Sequence, residues 1–288
     1  MKQLNNFIEL TRLKKPIGIM LLFWPCAWGL TLAYDFSDNF NLYIFYLILF
    51  FSGSILMRSA GCIINDIADR NFDKKVKRTK NRPITSGSIS IKLAIFYTVI
   101  LCFLALLILI NFNYLTIILA MVSMPLIFIY PLMKRFTYWP QLFLGITFNY
   151  GLLLGWTSIH DGLSLAPIIF YIGAIFWTLG YDTIYGFQDI KDDEIIGVKS
   201  TSIKFKKNPK LFLKTCYITF ILFFGILGII MNFNYLYYLG LLILIYQLFF
   251  LQIKKLNILS SKKNLSIFKS NNFFGLLVLV NILIGKIY

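Results

Sequence analysis

The stretch RSAGCIINDIADRNFDKKVKRTKNRPITSG, residues 58–87, contains the end of a long apolar run. Asn65, Asp69 and Asp73 then follow at four-residue intervals. In a helix this spacing places the three side chains on one face, about 6 Å apart along the axis. A row of oxygen ligands favours a divalent cation that prefers oxygen, Mg²⁺ or Ca²⁺. Basic residues follow directly and indicate an anion beside the cation.

The composition places this stretch in a membrane protein. Of the 288 residues 58% are hydrophobic and 18% are aromatic, whereas soluble domains are about 45–50% apolar. We therefore predict an all-α integral membrane protein, with residues 1–288 forming a single polytopic domain. About nine apolar runs are long enough to cross the roughly 30 Å hydrocarbon core. They are residues 15–34, 41–64, 92–111, 114–133, 139–158, 165–186, 211–231, 234–252 and 271–288.

The net charge of +16 follows the predicted topology. Lys and Arg gather before the first span and after the even-numbered spans, which is the positive-inside pattern. The pattern predicts a cytoplasmic N-terminus and two long cytoplasmic loops, 66–91 and 187–210. It indicates a lipid bilayer, and not a nucleic acid, as the partner of the basic residues. No cleavable signal or transit segment precedes the first span, so we expect a bacterial inner membrane, and no segment indicates an obligate protein partner.

A second polar stretch, YDTIYGFQDIKDDEIIGVKSTS at 181–202, repeats the pattern of the first. Tyr185, Asp189 and Asp193 have the four-residue spacing of the earlier row, and basic residues with a Thr again follow. Both stretches end even-numbered spans four helices apart. This predicts two four-helix pseudo-repeats plus one extra helix, with a site between the halves.

Two facing rows of carboxylates are suited to binding a diphosphate through Mg²⁺, which takes one or two carboxylates together with phosphate oxygens. Lys and Arg would neutralise the remaining charge. If the organic part is a long isoprenoid, the membrane location follows. Loss of the diphosphate from an allylic carbon leaves a carbocation, which aromatic faces stabilise. Tyr130 and Tyr185 lie beside the polar groups and are the candidates for this role.

Several strings in the chain closely resemble the UbiA-type membrane prenyltransferases, in particular the branch that prenylates 4-hydroxybenzoate in ubiquinone biosynthesis. The similarity extends over the first six spans and the loop beyond them. The strings are GCIINDIADRNFD, VKRTKNRPITSG, YDTIYGFQDIKDD, IGVKST, RLKKPIGIMLLFWPCAW at 12–28 and YPLMKRFTYWPQLFLG at 130–145.

The resemblance implies a helical bundle around a central cavity that opens sideways to lipid. It also implies Mg²⁺-dependent transfer of a polyprenyl group from polyprenyl diphosphate to 4-hydroxybenzoate. The implied metal ligands are Asn65, Asp69, Asp73, Asp189 and Asp193. The implied phosphate partners are Lys134, Arg78, Arg82 and Lys199, whereas Asp66 and Asp182 belong to the motifs without a settled role.

Three points stay open in the sequence. The ring proton could pass to Asp182 or to the released diphosphate. Arg58, within the second span, could pair with the carboxylate of the substrate or could extend its guanidinium to the interface. The acceptor could instead be a haem, a naphthoate or a homogentisate. A divalent-ion transporter would also use acidic rows, but it should place charges along a pore at mid-membrane, whereas these lie at one face.

Overall fold

The computed structural model describes residues 2–76 and 78–287, and within these ranges the chain is helical and forms no β-strand. Lys77 and Tyr288, the last residue of the ninth predicted span, lie outside the described residues. We number the helices in chain order. They are α1 (Lys2–Leu10), α2 (Ile17–Ala33), α3 (Phe40–Asp73), α4 (Ile91–Leu109), α5 (Tyr114–Ile129), α6 (Met133–Phe136), α7 (Pro140–Thr157), α8 (Leu165–Gly186), α9 (Ile190–Ile196), α10 (Thr201–Lys204), α11 (Pro209–Ile230), α12 (Tyr235–Tyr246) and α13 (Ser261–Lys286).

Each predicted span corresponds to a helix, and among the described residues seven helices are long and apolar enough to cross a membrane. The shorter α2 is also apolar. The chain is therefore a multi-pass membrane protein. Some predicted boundaries were wrong. The last helix begins at Ser261 instead of residue 271, because its first turns are polar and hydropathy does not register them.

The second predicted boundary that fails is the start of the first polar loop. Residues 66–73 are the last two turns of α3 and not part of a loop. With 34 residues, α3 is about 51 Å long, well beyond the roughly 30 Å of hydrocarbon. Its acidic end can therefore project past the apolar layer. The second polar loop, 187–210, likewise contains two short helices, α9 and α10.

Helices α2 and α7 pack with their backbones in contact, and two glycines make this possible. A Cβ added at Gly29 would lie 2.0 Å from the carbonyl oxygen of Leu152, and one added at Gly155 would lie 2.3 Å from that of Cys26. Backbone atoms cannot move aside as the end of a side chain can. Small residues at helix crossings are the usual way in which membrane helices approach closely. The crossing joins the first and fifth spans and so connects the two halves of the bundle.

We expect Gly155→Ala to lower the free energy of unfolding by about 2–3 kcal/mol, the upper range for overpacking. The matched control is Gly225→Ala, because a Cβ there meets nothing closer than 4.0 Å. The measurement is the midpoint of thermal unfolding in detergent, followed by size-exclusion chromatography. Equal midpoints for the two variants would contradict the close contact.

The remaining packing follows the expected repeat. Helix α3 packs against α2 and α4, and α8 packs correspondingly against α7 and α11. An aromatic core that includes Trp28, Trp177, Phe170, Phe224 and Phe274 joins α2, α8, α11 and α13. The described arrangement leaves a cavity of about 820 Å³ between α3, α4, α5 and α7. Most of its lining residues are apolar.

Candidate active site

The first acidic row lies on the last two turns of α3. Asp66, Asp69 and Asp73 are buried there, and Asn65 is half-buried. Asn65, Asp69 and Asp73 have the four-residue spacing of one helix face, as the sequence predicted. Thr79 supports the chain that leaves the helix, because its hydroxyl donates to the carbonyl of Asp73 over 3.2 Å. This hydrogen bond ties the loop that follows α3 to the last residue of the helix.

Each of these three carboxylates is paired with a basic side chain. Arg82 donates from one nitrogen to Asp66 over 3.0 Å and to Asp73 over 2.8 Å. Arg12 donates to the same oxygen of Asp66 over 2.5 Å. Lys134, which follows α5, forms an ion pair with Asp69. Burial of a carboxylate is costly unless it is paired and hydrogen-bonded, so these contacts explain how the acidic row tolerates its burial.

The second acidic row begins where α8 ends. Asp189 accepts two hydrogen bonds from Arg78, one of them from Nε over 2.8 Å. This forked contact is the geometry in which Arg binds carboxylates and phosphates most strongly. The guanidinium also lies 6.0 Å from the ring centroid of Tyr185. Arg78 follows α3 in sequence, so this pair joins the first polar loop to the second.

Asp193 is the third member of the second row and lies on α9, outside the spans. Burial, followed by the negative charge of Asp189, raises the pKa of Asp193 to about 6. Lys134 and Arg78 are near enough to oppose that shift. A cation beside this carboxyl would stabilise its charged form. The surroundings of Asp193 therefore suit a cation bound between its carboxylate and that of Asp189.

Two hydrogen bonds, one from the side chain of Arg135 and one to the backbone of Lys134, hold this segment between the rows. Pro131 lies in a tight turn, Tyr130–Leu132, that ends α5 and leads into α6. Arg135 donates to the carbonyl of Ala68 on α3 over 2.6 Å. The backbone N–H of Lys199 donates to the carbonyl of Lys134 over 2.9 Å. The side chain of Lys199 turns to the carbonyl of Phe136, 3.2 Å away, and so does not reach a carboxylate.

The acidic residues provide oxygen ligands for a metal ion but do not form a complete metal cage. Among residues 2–76 and 78–287, no three His, Cys, Asp or Glu side chains converge to form a complete metal cage. Mg²⁺ does not need one, because it takes one or two carboxylates and completes its shell with water and phosphate. Oδ1 of Asp69 is buried and has no hydrogen-bond partner among residues 2–76 and 78–287. This free oxygen, aligned with Asn65 and Asp73, fits a divalent cation.

Arg58 and Tyr130 lie in the wall of the apolar cavity. The guanidinium of Arg58 is 5.3 Å from the ring centroid of Phe148 and packs against Gly18. It is also the charged neighbour of Asp182 on α8. The cavity extends along α3 from Leu49 to Ile67, about 27 Å at 1.5 Å per residue. Arg58 therefore places one positive charge in the wall of a long apolar cavity below the acidic rows.

A family model described as the UbiA prenyltransferase family matches residues 22–283. The chain belongs to this family. Two relatives are similar over almost their whole length. The 4-hydroxybenzoate geranyltransferase 1 of Lithospermum erythrorhizon is 40% identical, with all of this chain and 92% of the relative covered. The 4-hydroxybenzoate octaprenyltransferase of Coxiella burnetii (strain CbuK_Q154) is 35% identical, with 98% and 97% covered.

The fold of this UbiA family member is also found in solved structures. A UbiA homolog from Archaeoglobus fulgidus bound to GPP and Mg²⁺ superimposes with a TM-score of 0.70 at 17% identity, covering 97% of this chain and 98% of the homolog. The family and the helical architecture predicted from the sequence are thus confirmed. The individual site residues stay predictions, although the structure brings most of them together.

Sequence reasoning missed three contributors to the site of this UbiA protein. Arg12 pairs with Asp66 from 54 positions away. Arg135 fixes the position of Lys134. Phe268, on the last helix, packs its ring 4.5 Å from that of Tyr185. The strings at 12–28 and 130–145 contained the first two residues but indicated no partners for them. Nothing in the polar start of α13 pointed to Phe268.

Proposed function

We propose that this protein transfers a polyprenyl group from polyprenyl diphosphate to the ring of 4-hydroxybenzoate, a step of ubiquinone biosynthesis. One observation carries the proposal. Two acidic rows, joined by the Arg78–Asp189 contact, lie beside a long apolar cavity whose described wall includes one arginine, Arg58. The named activities of the two curated relatives support the same reaction. The acidic rows with their basic partners suit a diphosphate, the apolar cavity suits an isoprenoid chain, and Arg58 suits the carboxylate of a small aromatic acid.

The diphosphate would bind between the rows. Lys134, Arg78 and Arg82 now neutralise carboxylates, and the same donors suit phosphate oxygens. Lys199 lies on the adjoining loop. We assign Asn65, Asp69, Asp73, Asp189 and Asp193 as the residues that would hold Mg²⁺. The metal, when bound, supplies positive charge that stabilises the diphosphate as a leaving group.

The prenyl chain would occupy the apolar cavity, which keeps water from the allylic carbon as its C–O bond breaks. Tyr130 lies in the cavity wall and Tyr185 lies beside Arg78. Their rings would stabilise the positive charge that develops on the chain. Because most of the cavity wall is apolar, it admits little water to compete for the cation. The aromatic acceptor is then the group that can capture it.

The acceptor would bind with its carboxylate on Arg58. The ring carbon next to the hydroxyl-bearing carbon then forms the new C–C bond. The ring loses the proton from that carbon, either to Asp182, the acidic neighbour of Arg58, or to the released diphosphate. The products are the prenylated acid and diphosphate. Arg58 acts by orientation, which is the main contribution that a charged contact remote from the reacting atom can make.

The location proposed for this reaction is a bacterial inner membrane, with the N-terminus and both acidic rows on the cytoplasmic side. The positive-inside pattern supports this orientation. The rows lie at the end of the bundle that carries the basic loops. Polyprenyl diphosphate would then present its head group to the cytoplasm while its tail stays in lipid.

The reaction is tested with membranes that contain the protein, polyprenyl diphosphate and radiolabelled 4-hydroxybenzoate. We expect label to enter the lipid fraction with Mg²⁺ and to fall to background with EDTA, with recovery when excess Mg²⁺ is restored. Diphosphates of several prenyl chain lengths should be supplied, because the cavity extends about 27 Å along α3. Transfer that is unaffected by EDTA would contradict the role of the metal. No transfer beside an active positive control would indicate another acceptor, such as a naphthoate, a homogentisate or a haem.

A further inference from the structure

A second cavity lies apart from the candidate active site. It has a volume of about 1010 Å³ and lies between the start of α11, the start of α13 and the segment Gln247–Ile253 that extends α12. None of its lining residues belongs to the acidic rows or to the apolar cavity. Helix α8 ends at Gly186 and the following loop leads to α11, so this cavity opens at the same end of the bundle as the acidic rows.

The lining of this second cavity is strongly basic. Among the lining residues are five lysines and no acidic residue: Lys207, Lys210, Lys254, Lys255 and Lys263. All five are exposed. Within the part of the chain that the structure describes, none of them forms an ion pair with a carboxylate. Five like charges around one cavity repel one another, and an anion among them would relieve that repulsion.

Apolar side chains stand beside these lysines in a way that a site for a soluble anion does not require. Leu259 is 88% exposed and Leu211 is 65% exposed, and both line the cavity. Leu251, Leu256 and Ile258 line it as well. Leucines exposed at the end of a membrane bundle are stable when acyl chains cover them. The combined surface therefore fits a molecule with an anionic head and an apolar tail.

We propose that this cavity binds an acidic phospholipid, with its phosphate among the lysines and the upper part of its acyl chains on the leucines. Basic residues near a membrane surface each contribute about 1 kcal/mol to the binding of anionic lipid, which is about fivefold in affinity. Pockets of 300–1,000 Å³ hold drug-sized ligands, so the volume suffices for a head group and the first acyl carbons. The site is independent of the proposed prenyl transfer.

The test is native mass spectrometry of the full chain in detergent with EDTA, comparing added phosphatidylglycerol, phosphatidylcholine and inorganic phosphate. We expect the protein to retain phosphatidylglycerol and neither of the other two. The test variant combines Lys254→Gln, Lys255→Gln and Lys263→Gln. Removal of three charges should weaken phosphatidylglycerol binding roughly a hundredfold, at about fivefold for each lysine.

The control variant removes the same charge from exposed lysines on α11 and α13 that do not line the cavity: Lys214→Gln, Lys262→Gln and Lys269→Gln. It should retain phosphatidylglycerol as the unmodified protein does. Equal weakening in both triple variants would overturn the proposal, because it would indicate attraction by net charge alone. Retention of inorganic phosphate would overturn the lipid assignment in favour of a free-anion site. If the triple variant does not fold, Lys254→Gln alone should show about fivefold weaker binding, and an unchanged affinity would contradict the site.

Discussion

Asp69→Asn should reduce the rate of prenyl transfer by about 10²–10³-fold, the usual loss when one electrostatic contact to the reacting group is removed. Asp69 is the centre of the first acidic row. One of its oxygens pairs with Lys134, and the other is buried with no hydrogen-bond partner in the described part of the chain. The amide has the same shape but lacks the charge that would hold a cation. Asp189→Asn should cause a loss of similar size, because Asp189 holds Arg78 at the second row. The measurement is the initial rate at saturating Mg²⁺ and both substrates.

The matched control for this pair is Asp38→Asn. Asp38 is an exposed aspartate in the connection between α2 and α3, at the other end of the bundle from the acidic rows. We expect its rate to stay within about twofold of the unmodified enzyme, in line with the small effects of exposed substitutions. The midpoint of thermal unfolding separates lost chemistry from lost structure. A rate above one tenth of normal in either Asp69→Asn or Asp189→Asn, with a folded protein, would contradict the two-row site.

Arg58→Gln should raise the KM for 4-hydroxybenzoate by about a hundredfold, the size of effect seen when one partner of a desolvated charge pair is lost. The guanidinium lies in the wall of the apolar cavity, over Phe148 and against Gly18. Among the described lining residues, Arg58 is the only basic side chain that a substrate carboxylate entering this cavity would meet. The KM for the polyprenyl diphosphate should change little, because its head group binds at the acidic rows.

A neutral acceptor provides the control for Arg58. 4-Hydroxybenzamide has the shape of the acid without its charge. We expect it to be a poor acceptor, with a KM that Arg58→Gln leaves unchanged. The KM is therefore expected to respond to the substitution for the acid and not for the amide. If Arg58 only extends its charge to the interface, the substitution should affect both acceptors equally or neither. The two explanations for Arg58 are separated by that comparison.

The periodicity of the sequence predicted the acidic rows, and the structure places both at one end of the bundle. Asn65, Asp69 and Asp73 share one helix face because helical spacing is a local property. The boundaries were less accurate, since α3 continues through Asp73 and α13 begins ten residues early. In both cases one end of the helix is made of polar residues, and hydropathy assigns those residues to a loop. Hydropathy reports which residues prefer lipid, and helices can extend beyond them.

The partners of the carboxylates were not predictable in the same way. Asp66 pairs with both Arg12 and Arg82, and Asp69 with Lys134. The chain offers 28 basic residues for 12 acidic ones, so sequence alone leaves many pairings open. The choice depends on which loops reach the end of α3. That is set by how the neighbouring elements pack around α3.

Composition and local patterns in the sequence predicted the membrane class, the positions of the apolar helices, the two acidic rows and the family. These properties depend on composition, on local spacing and on motifs that occupy adjacent positions. The tertiary structure alone decided that Arg78 reaches Asp189, that Arg58 lies in the wall of the long cavity, and that five lysines from three separate segments surround a second one. Such contacts join residues far apart in the chain, and their geometry is set by close helix packing, as at Gly29 and Gly155.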